Sequence, residues 1–186
     1  HTVTAIDTQM GGPSHDVSRP SVQRRLRQQV VSGEYTSVYL APPCNSFSVA
    51  LDSPLRNRLE PDAVLPSLSA AQRETVIKGN AAANFVASLA LIAHVRGIPF
   101  TIENPADRGD TQSDASWPEK SDHCPIWLLS SMRVLNEVVR PNSVTFPQCA
   151  FGAPTQKYTT LWTSSEQVAE TFADLACVHT HHEEQA

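Results

Sequence analysis

Two reactive side chains stand at the ends of apolar runs, each beside a proline. Cys44 follows Pro42-Pro43, which close the run Val38-Tyr39-Leu40-Ala41, and Glu103 ends the apolar run 98–103 just ahead of Asn104-Pro105. Proline has no amide to give to a sheet, so both prolines mark strand ends. A thiol on a strand-to-loop corner can lose its proton and act as a nucleophile, whereas a cysteine packed in a core is inert. The residues after Cys44, Asn45-Ser46-Phe47-Ser48, show no apolar alternation that would bury it. Partial burial of Glu103 at the end of an apolar strand raises its pKa and lets it donate a proton near neutral pH. A third acid, Asp7, closes the short run 2–6 ahead of the turn signal Gly11-Gly12-Pro13. A carboxylate there would hold the ribose hydroxyls of a nucleotide-type cofactor, and a turn or helix cap is the plainer reading.

The elements that must position these groups follow from period and punctuation. The run 2–6 reads as a buried strand. Pro20 opens a helix in which Val22, Leu26 and Val30 recur at helical spacing and Gly33 is the stop, leaving Arg24, Arg25 and Arg27 on a solvated face. A second strand ends at Pro42. Residues 45–69 are rich in Pro, Ser and Leu without a period and read as a long ordered loop. Ser69-Ala70-Ala71-Gln72 has the form of a capping box and launches a helix of about seven turns to Arg96, with Gly97 as its stop. A third strand runs to Glu103, an apolar segment spans 126–135, and strands follow at 143–146 and 159–163. Ser164-Ser165-Glu166-Gln167 is a second candidate box, opening a helix to about Leu175. Strands alternating with helices predict an α/β fold, a mostly parallel sheet with helices on both faces. Trp117, Trp127 and Trp162 read as core anchors.

Composition bounds the class. The chain has 186 residues, 40% of them hydrophobic, and a net charge of −5. That suits a single domain over 1–186, soluble and without a membrane partner, since no run approaches the ~20 consecutive apolar residues of a span. Four cysteines without a C-x-x-C fit free thiols in a reducing, intracellular compartment, nuclear or cytoplasmic. Charge is uneven: residues 1–60 carry six Lys/Arg and five Asp/Glu, residues 141–186 one and five. The acidic total argues against a polyanion partner unless a local basic face exists. The first residue is His1, inside the first strand signal, so sequence is expected upstream.

Ala41-Pro42-Pro43-Cys44-Asn45-Ser46-Phe47-Ser48 resembles the catalytic PPCxxFS motif of the cytosine-C5 DNA methyltransferases, and Ile102-Glu103-Asn104-Pro105 resembles their ENV motif. The segment 151–159, with Gln156-Lys157, looks like the later PQxRxR segment. Leu55-Arg56, Gly79-Asn80 and Glu103-Asn104-Pro105 follow the PPC as they do in divergent methyltransferase-like proteins of phages and mobile elements. The resemblance implies a Rossmann-like class I methyltransferase sheet and methyl transfer from S-adenosylmethionine to C5 of cytosine in DNA. By it Cys44 adds to C6 and Glu103 acts at N3, with the base flipped out of the duplex. It implies cofactor contacts at Asp7, at Asp16 on a brief strand 15–17, and at Pro42. Substrate contacts are implied at Pro43, Ser46, Ser48, Asn104, Gln156 and Lys157.

Departures are equally specific. Pro105 replaces a Val, and Lys157 and Thr159 stand where two arginines are expected. The glycine-rich first motif is missing, as is any target-recognition domain; its strand would lie beside the one ending at Cys44. The alternative is a non-catalytic Rossmann-like module of a mobile-element polyprotein, binding nucleic acid or a neighbouring domain. Cys177, His179, His181 and His182, with Cys149 or Cys124, offer zinc ligands. Their spacing matches no standard finger, so no metal is assigned and a polar C-terminus is the plainer reading.

Overall fold

The computed structural model describes residues 3–51, 53–179 and 184–185. In chain order its elements are α1 (Thr8–Gly11), α2 (Pro20–Val31), β1 (Val38–Leu40), α3 (Ala70–Val95), β2 (Phe100–Pro105), α4 (Ser130–Val139), β3 (Asn142–Pro147), β4 (Thr155–Gln156), β5 (Tyr158–Thr163), α5 (Glu166–Ala173) and β6 (Glu184–Gln185).

The long helix is built as its sequence requires. Ser69 Oγ accepts from the Gln72 amide at 3.3 Å and Gln72 Oε1 accepts from the Ser69 amide at 2.9 Å, a complete capping box. Gly97, with φ 69°, ends it. α3 is long and apolar enough to cross a membrane, yet half of its most apolar stretch is buried, and it packs on α2, α4, β1 and β2. It is the central helix of the fold. α2 presents Val22, Leu26 and Val30 to it. α4 is capped from far along the chain, by Asp62 Oδ2 accepting from the Ser130 amide and hydroxyl at 3.0 and 2.6 Å. The second capping box forms only in part: Ser165 caps the helix by accepting from Val168, and no acid stands at the third helical position.

The main sheet has the order β1-β2-β5-β3. β1 and β2 are parallel, with Leu40 opposite Ile102, but β5 runs antiparallel to both β2 and β3. The sheet is therefore mixed rather than mostly parallel. The cause is connection length: α3 supplies the long crossover that a parallel pair needs, whereas residues 148–157 between β3 and β5 are too few for one. Alternation places Leu40, Ile102 and Trp162 on the face against α3, where Trp127 and Trp162 meet with ring centroids 4.7 Å apart. Glu103, Leu161 and Phe146 face the other way. There α5 covers the β3–β5 side, Phe172 stacking on Phe146 at 4.8 Å. Helices thus lie on both faces.

Two expected strands do not form. Residues 3–6 are irregular, and Gly12–His15 is a 3₁₀ turn that leads into Asp16. A strand exists only where a neighbour completes its ladder, and β1 is the edge of the sheet on that side among the described residues. Ile6 and Val17 pack instead against the core cluster.

Candidate functional site

The ends of β1 and β2 lie side by side because the strands are parallel neighbours, and one hydrogen bond joins the two motifs beyond them. Asn104, 1% exposed, donates from Nδ2 to the Pro42 carbonyl at 2.9 Å. Past Pro42 the chain turns tightly, the Phe47 amide donating to the Cys44 carbonyl at 2.8 Å. Ser46 and Phe47 point inward and are buried, Pro43 is exposed, and Cys44 is half-buried at the turn. The loop's anchors are therefore beneath it, and Cys44 is not sealed in the core.

Arg56 is the main anchor. Its guanidinium donates to Ser46 Oγ at 2.9 Å, to Asn80 Oδ1 at 2.6 Å, and to the Pro61 and Val76 carbonyls at 2.9 and 3.1 Å. It also lies over the Phe47 ring, 4.1 Å from the centroid. All of these acceptors are neutral, and burial pushes the Arg56 pKa down to about 10, with Cys124 and Asp62 acting the other way. The guanidinium remains charged at neutral pH and places positive charge under the Cys44 turn. Leu55-Arg56 and Gly79-Asn80, far apart in sequence, thus converge on one loop.

His123 is the second anchor and was not legible in the sequence, since it lies in a polar stretch without period. The Arg108 amide donates to its Nδ1 at 3.2 Å, so the ring proton is on Nε2, which donates to the Phe47 carbonyl at 2.7 Å. Burial pushes its pKa below the ordinary histidine value, against the hydrogen bond to Phe47 and the charge of Asp107. A base whose folded pKa is depressed takes up its proton more readily when unfolded. Stability is then full above the unfolded value near ~6.5 and falls as pH drops toward the folded value, by at most about 1.4 kcal/mol per pH unit. Urea unfolding between pH 7.5 and 5.5 is expected to show this slope, and a His123→Gln variant, which cannot titrate, is expected to lose it.

Glu103 does not end its strand as expected: β2 continues through Asn104 and Pro105, still paired to β5, and Glu103 lies two residues before its end. Burial raises its pKa, while Lys157 and a hydrogen bond from Thr159 work to lower it. Thr159 accepts from Gln148 Nε2 at 2.8 Å, which leaves its own hydroxyl proton for Glu103. Lys157 and Thr159, in the places of the two expected arginines, therefore act on the carboxyl group. A Lys157→Met variant is expected to titrate Glu103 at higher pH, measurable by carbon-13 NMR of the side-chain carboxyl.

Other expected residues lie elsewhere or serve locally. Ser48 accepts from the Ala50 amide at 3.2 Å and shapes the loop. Gln156 is turned to Cys177, away from Glu103. Asp7 is exposed and caps α1, accepting from the Gln9 amide at 2.6 Å. Asp16 accepts from the Ser18 amide and hydroxyl at 2.9 and 2.6 Å and pairs with Arg19, and these hydrogen bonds from Ser18 hold its pKa low. Both carboxylates are thus committed to capping the segment around them. Neither the small cavity under the Cys44 loop nor the larger one at Cys149 is lined by Asp7, Asp16 or Pro42. Cys124 is buried beside Arg56 and Arg58, its thiol at 3.6 Å from the Asn57 carbonyl, and His181 and His182 lie outside the described residues. Trp127 and Trp162 are core anchors, whereas Trp117 is half-buried over Arg108 at 5.2 Å, with Tyr158 4.9 Å from the same guanidinium.

Compared with known proteins, the chain matches no family model, no curated protein and no solved structure.

Proposed function

We propose that Cys44 and Glu103 are the nucleophile and acid of a cytosine-C5 methyltransferase-like centre acting on DNA. The observation that carries the reading is the Asn104–Pro42 hydrogen bond, which ties the Pro-Pro-Cys turn to the Glu-Asn-Pro strand end. The convergence of Arg56, Gly79 and Asn80 on Ser46 supports it, because the motifs that follow the Pro-Pro-Cys become one loop support. So does the place of β1 at the sheet edge, where the resemblance puts a further strand.

The chain's own part is the covalent half of the reaction. The Cys44 thiolate forms a carbon–sulfur bond to C6 of cytosine, and the electron pair of the C5–C6 double bond moves toward N3, which takes a proton from Glu103. C5 is then nucleophilic. S-adenosylmethionine is the methyl donor this reading requires. When solvent instead protonates C5, loss of the original C5 hydrogen, return of the N3 proton to Glu103 and departure of Cys44 regenerate cytosine with an exchanged hydrogen.

That exchange tests the reading without the cofactor. Wild-type protein mixed with a cytosine-containing single-stranded oligonucleotide in deuterated water is expected to place deuterium at C5. No exchange above the protein-free rate, on single- or double-stranded DNA, would leave the fold as a non-catalytic binding module.

A further inference from the structure

We infer that Cys149, Cys177 and His179 form a zinc site that clasps the segment after α5 to the turn between β3 and β5. One ligand atom from each residue lies within 4.8 Å of the other two, and Cys177 Sγ is 3.9 Å from His179 Nδ1. Two thiolates on a tetrahedral zinc, with zinc–sulfur bonds of ~2.3 Å, stand about 3.8 Å apart, and a thiolate and an imidazole nitrogen stand somewhat closer. The three groups are therefore within a small side-chain adjustment of a metal's first coordination sphere.

Their placement is built by two separate pieces of chain. Cys149 is carried by the 3₁₀ turn Gln148–Phe151, which Gly152 ends with φ 85°, and it is 1% exposed. Cys177 and His179 come from the extended segment after α5, two residues apart. Cys149 and His179, together with Asp174 and Leu175, line an open concavity of about 460 Å³. The buried sulfur lies at its floor and the imidazole at its exposed side, so an ion can enter from solvent. Two thiolates and one imidazole select a borderline-soft divalent ion, and zinc fits that donor set without imposing a geometry of its own. Water, or another side chain, completes the tetrahedron. This site is distinct from Cys44 and Glu103 and does not depend on the methyltransferase reading. The sequence offers these residues among several possible ligands, and the tertiary packing of α5 on β3 brings Cys149, rather than Cys124, to Cys177 and His179.

The test uses the full reduced chain. Titration with cobalt(II) is expected to give one equivalent bound, with the thiolate-to-cobalt charge-transfer band and strong visible absorption of a tetrahedral site, and zinc is expected to displace it stoichiometrically. Cys124→Ser keeps these signals. Cys177→Ser, at a half-exposed position where folding is not at stake, is expected to lose the charge-transfer intensity of one thiolate. His179→Ala weakens zinc binding about 100-fold or more, since even groups behind a ligand are worth about 10–100-fold. Reduced wild-type protein that takes up no cobalt or zinc overturns the proposal. So does uptake that persists at full affinity in Cys177→Ser, or a Cys149–Cys177 disulfide in protein whose reduced form binds no metal.

Discussion

Cys44→Ser protein is expected to exchange no cytosine C5 hydrogen, a loss of about 10⁴-fold or more, or at least about 5.4 kcal/mol of transition-state stabilisation. A serine hydroxyl at the same turn keeps the geometry but carries no appreciable anion at neutral pH, so the addition to C6 has no nucleophile. Glu103→Gln separates chemistry from folding more sharply. It removes the proton delivered to N3, and a positioned acid is worth about 10²–10⁴-fold. It is also expected to make the protein more stable. The folded pKa of Glu103 is raised by burial, so its contribution to stability is complete below the unfolded value near ~4.3 and is lost as pH rises through the folded value. Above that, the native state holds a half-buried carboxylate that the unfolded chain would solvate. Replacing it by a neutral amide is expected to raise stability at pH 7.5 and to have no such effect at pH 4. Urea unfolding of the two proteins at both pH values decides this. A Glu103→Gln protein that exchanges normally, or that is less stable at both pH values, would show the carboxyl group to be a structural strand-end residue.

The parts of this site that could be read from sequence are those set by local chemistry. Proline has no amide to give to a ladder, so Pro42 and Pro105 marked where two strands stop, which placed Cys44 just past β1 and Glu103 two residues inside the end of β2. The Ser69–Gln72 box fixed the start of α3, and the parallel β1–β2 pair follows from the length of that crossover. What could not be read depends on which segments meet in space. β5 enters the sheet reversed because residues 148–157 are too short for a helical crossover, and no periodicity within β5 records its direction. The run 2–6 has the composition of a strand, but composition does not supply the neighbour that a strand needs. Asp7 accordingly became a helix cap, the plainer of its two readings. Gln156 and Lys157 are adjacent in sequence and turn to opposite partners, Cys177 and Glu103, so a motif match could place the pair but not divide it. His123 supports the Cys44 loop from 76 residues away through one carbonyl, a contact that leaves no sequence signal.

Gly79→Ala is expected to destabilise the protein, reversing the ordinary rule for a helix interior. Alanine in place of glycine within a helix such as α3 normally stabilises by about 1 kcal/mol. Here a Cβ on residue 79 would come 2.5 Å from Ser46 Oγ, 2.7 Å from Arg56 Nη2 and 3.3 Å from the Phe47 ring. None of the three can retreat freely: Arg56 is held by Ser46, Asn80 and two carbonyls, and Phe47 is buried with its own carbonyl fixed by His123. Overpacking of this kind costs about 1–3 kcal/mol, more than the helix propensity returns. Arg56→Met is expected to cost more, about 3–5 kcal/mol, because it strips Ser46, Asn80 and the Pro61 and Val76 carbonyls of a buried donor at once. Both variants shift the Cys44 turn, so exchange at C5 should fall in parallel with stability, whereas Gly12→Ala, distant from the loop, should leave exchange intact. The clash itself is isolated by a double-mutant cycle with Ser46→Ala, measured by urea unfolding. Removing the Ser46 hydroxyl costs Arg56 an acceptor but makes room for the new methyl group, so the double variant is expected to be more stable than the sum of the single losses by about 1 kcal/mol. Additivity within about 0.5 kcal/mol would mean that residue 79 and the loop are energetically independent. In that case the convergence of Gly79 and Arg56 beneath Cys44 would be a matter of proximity rather than of support.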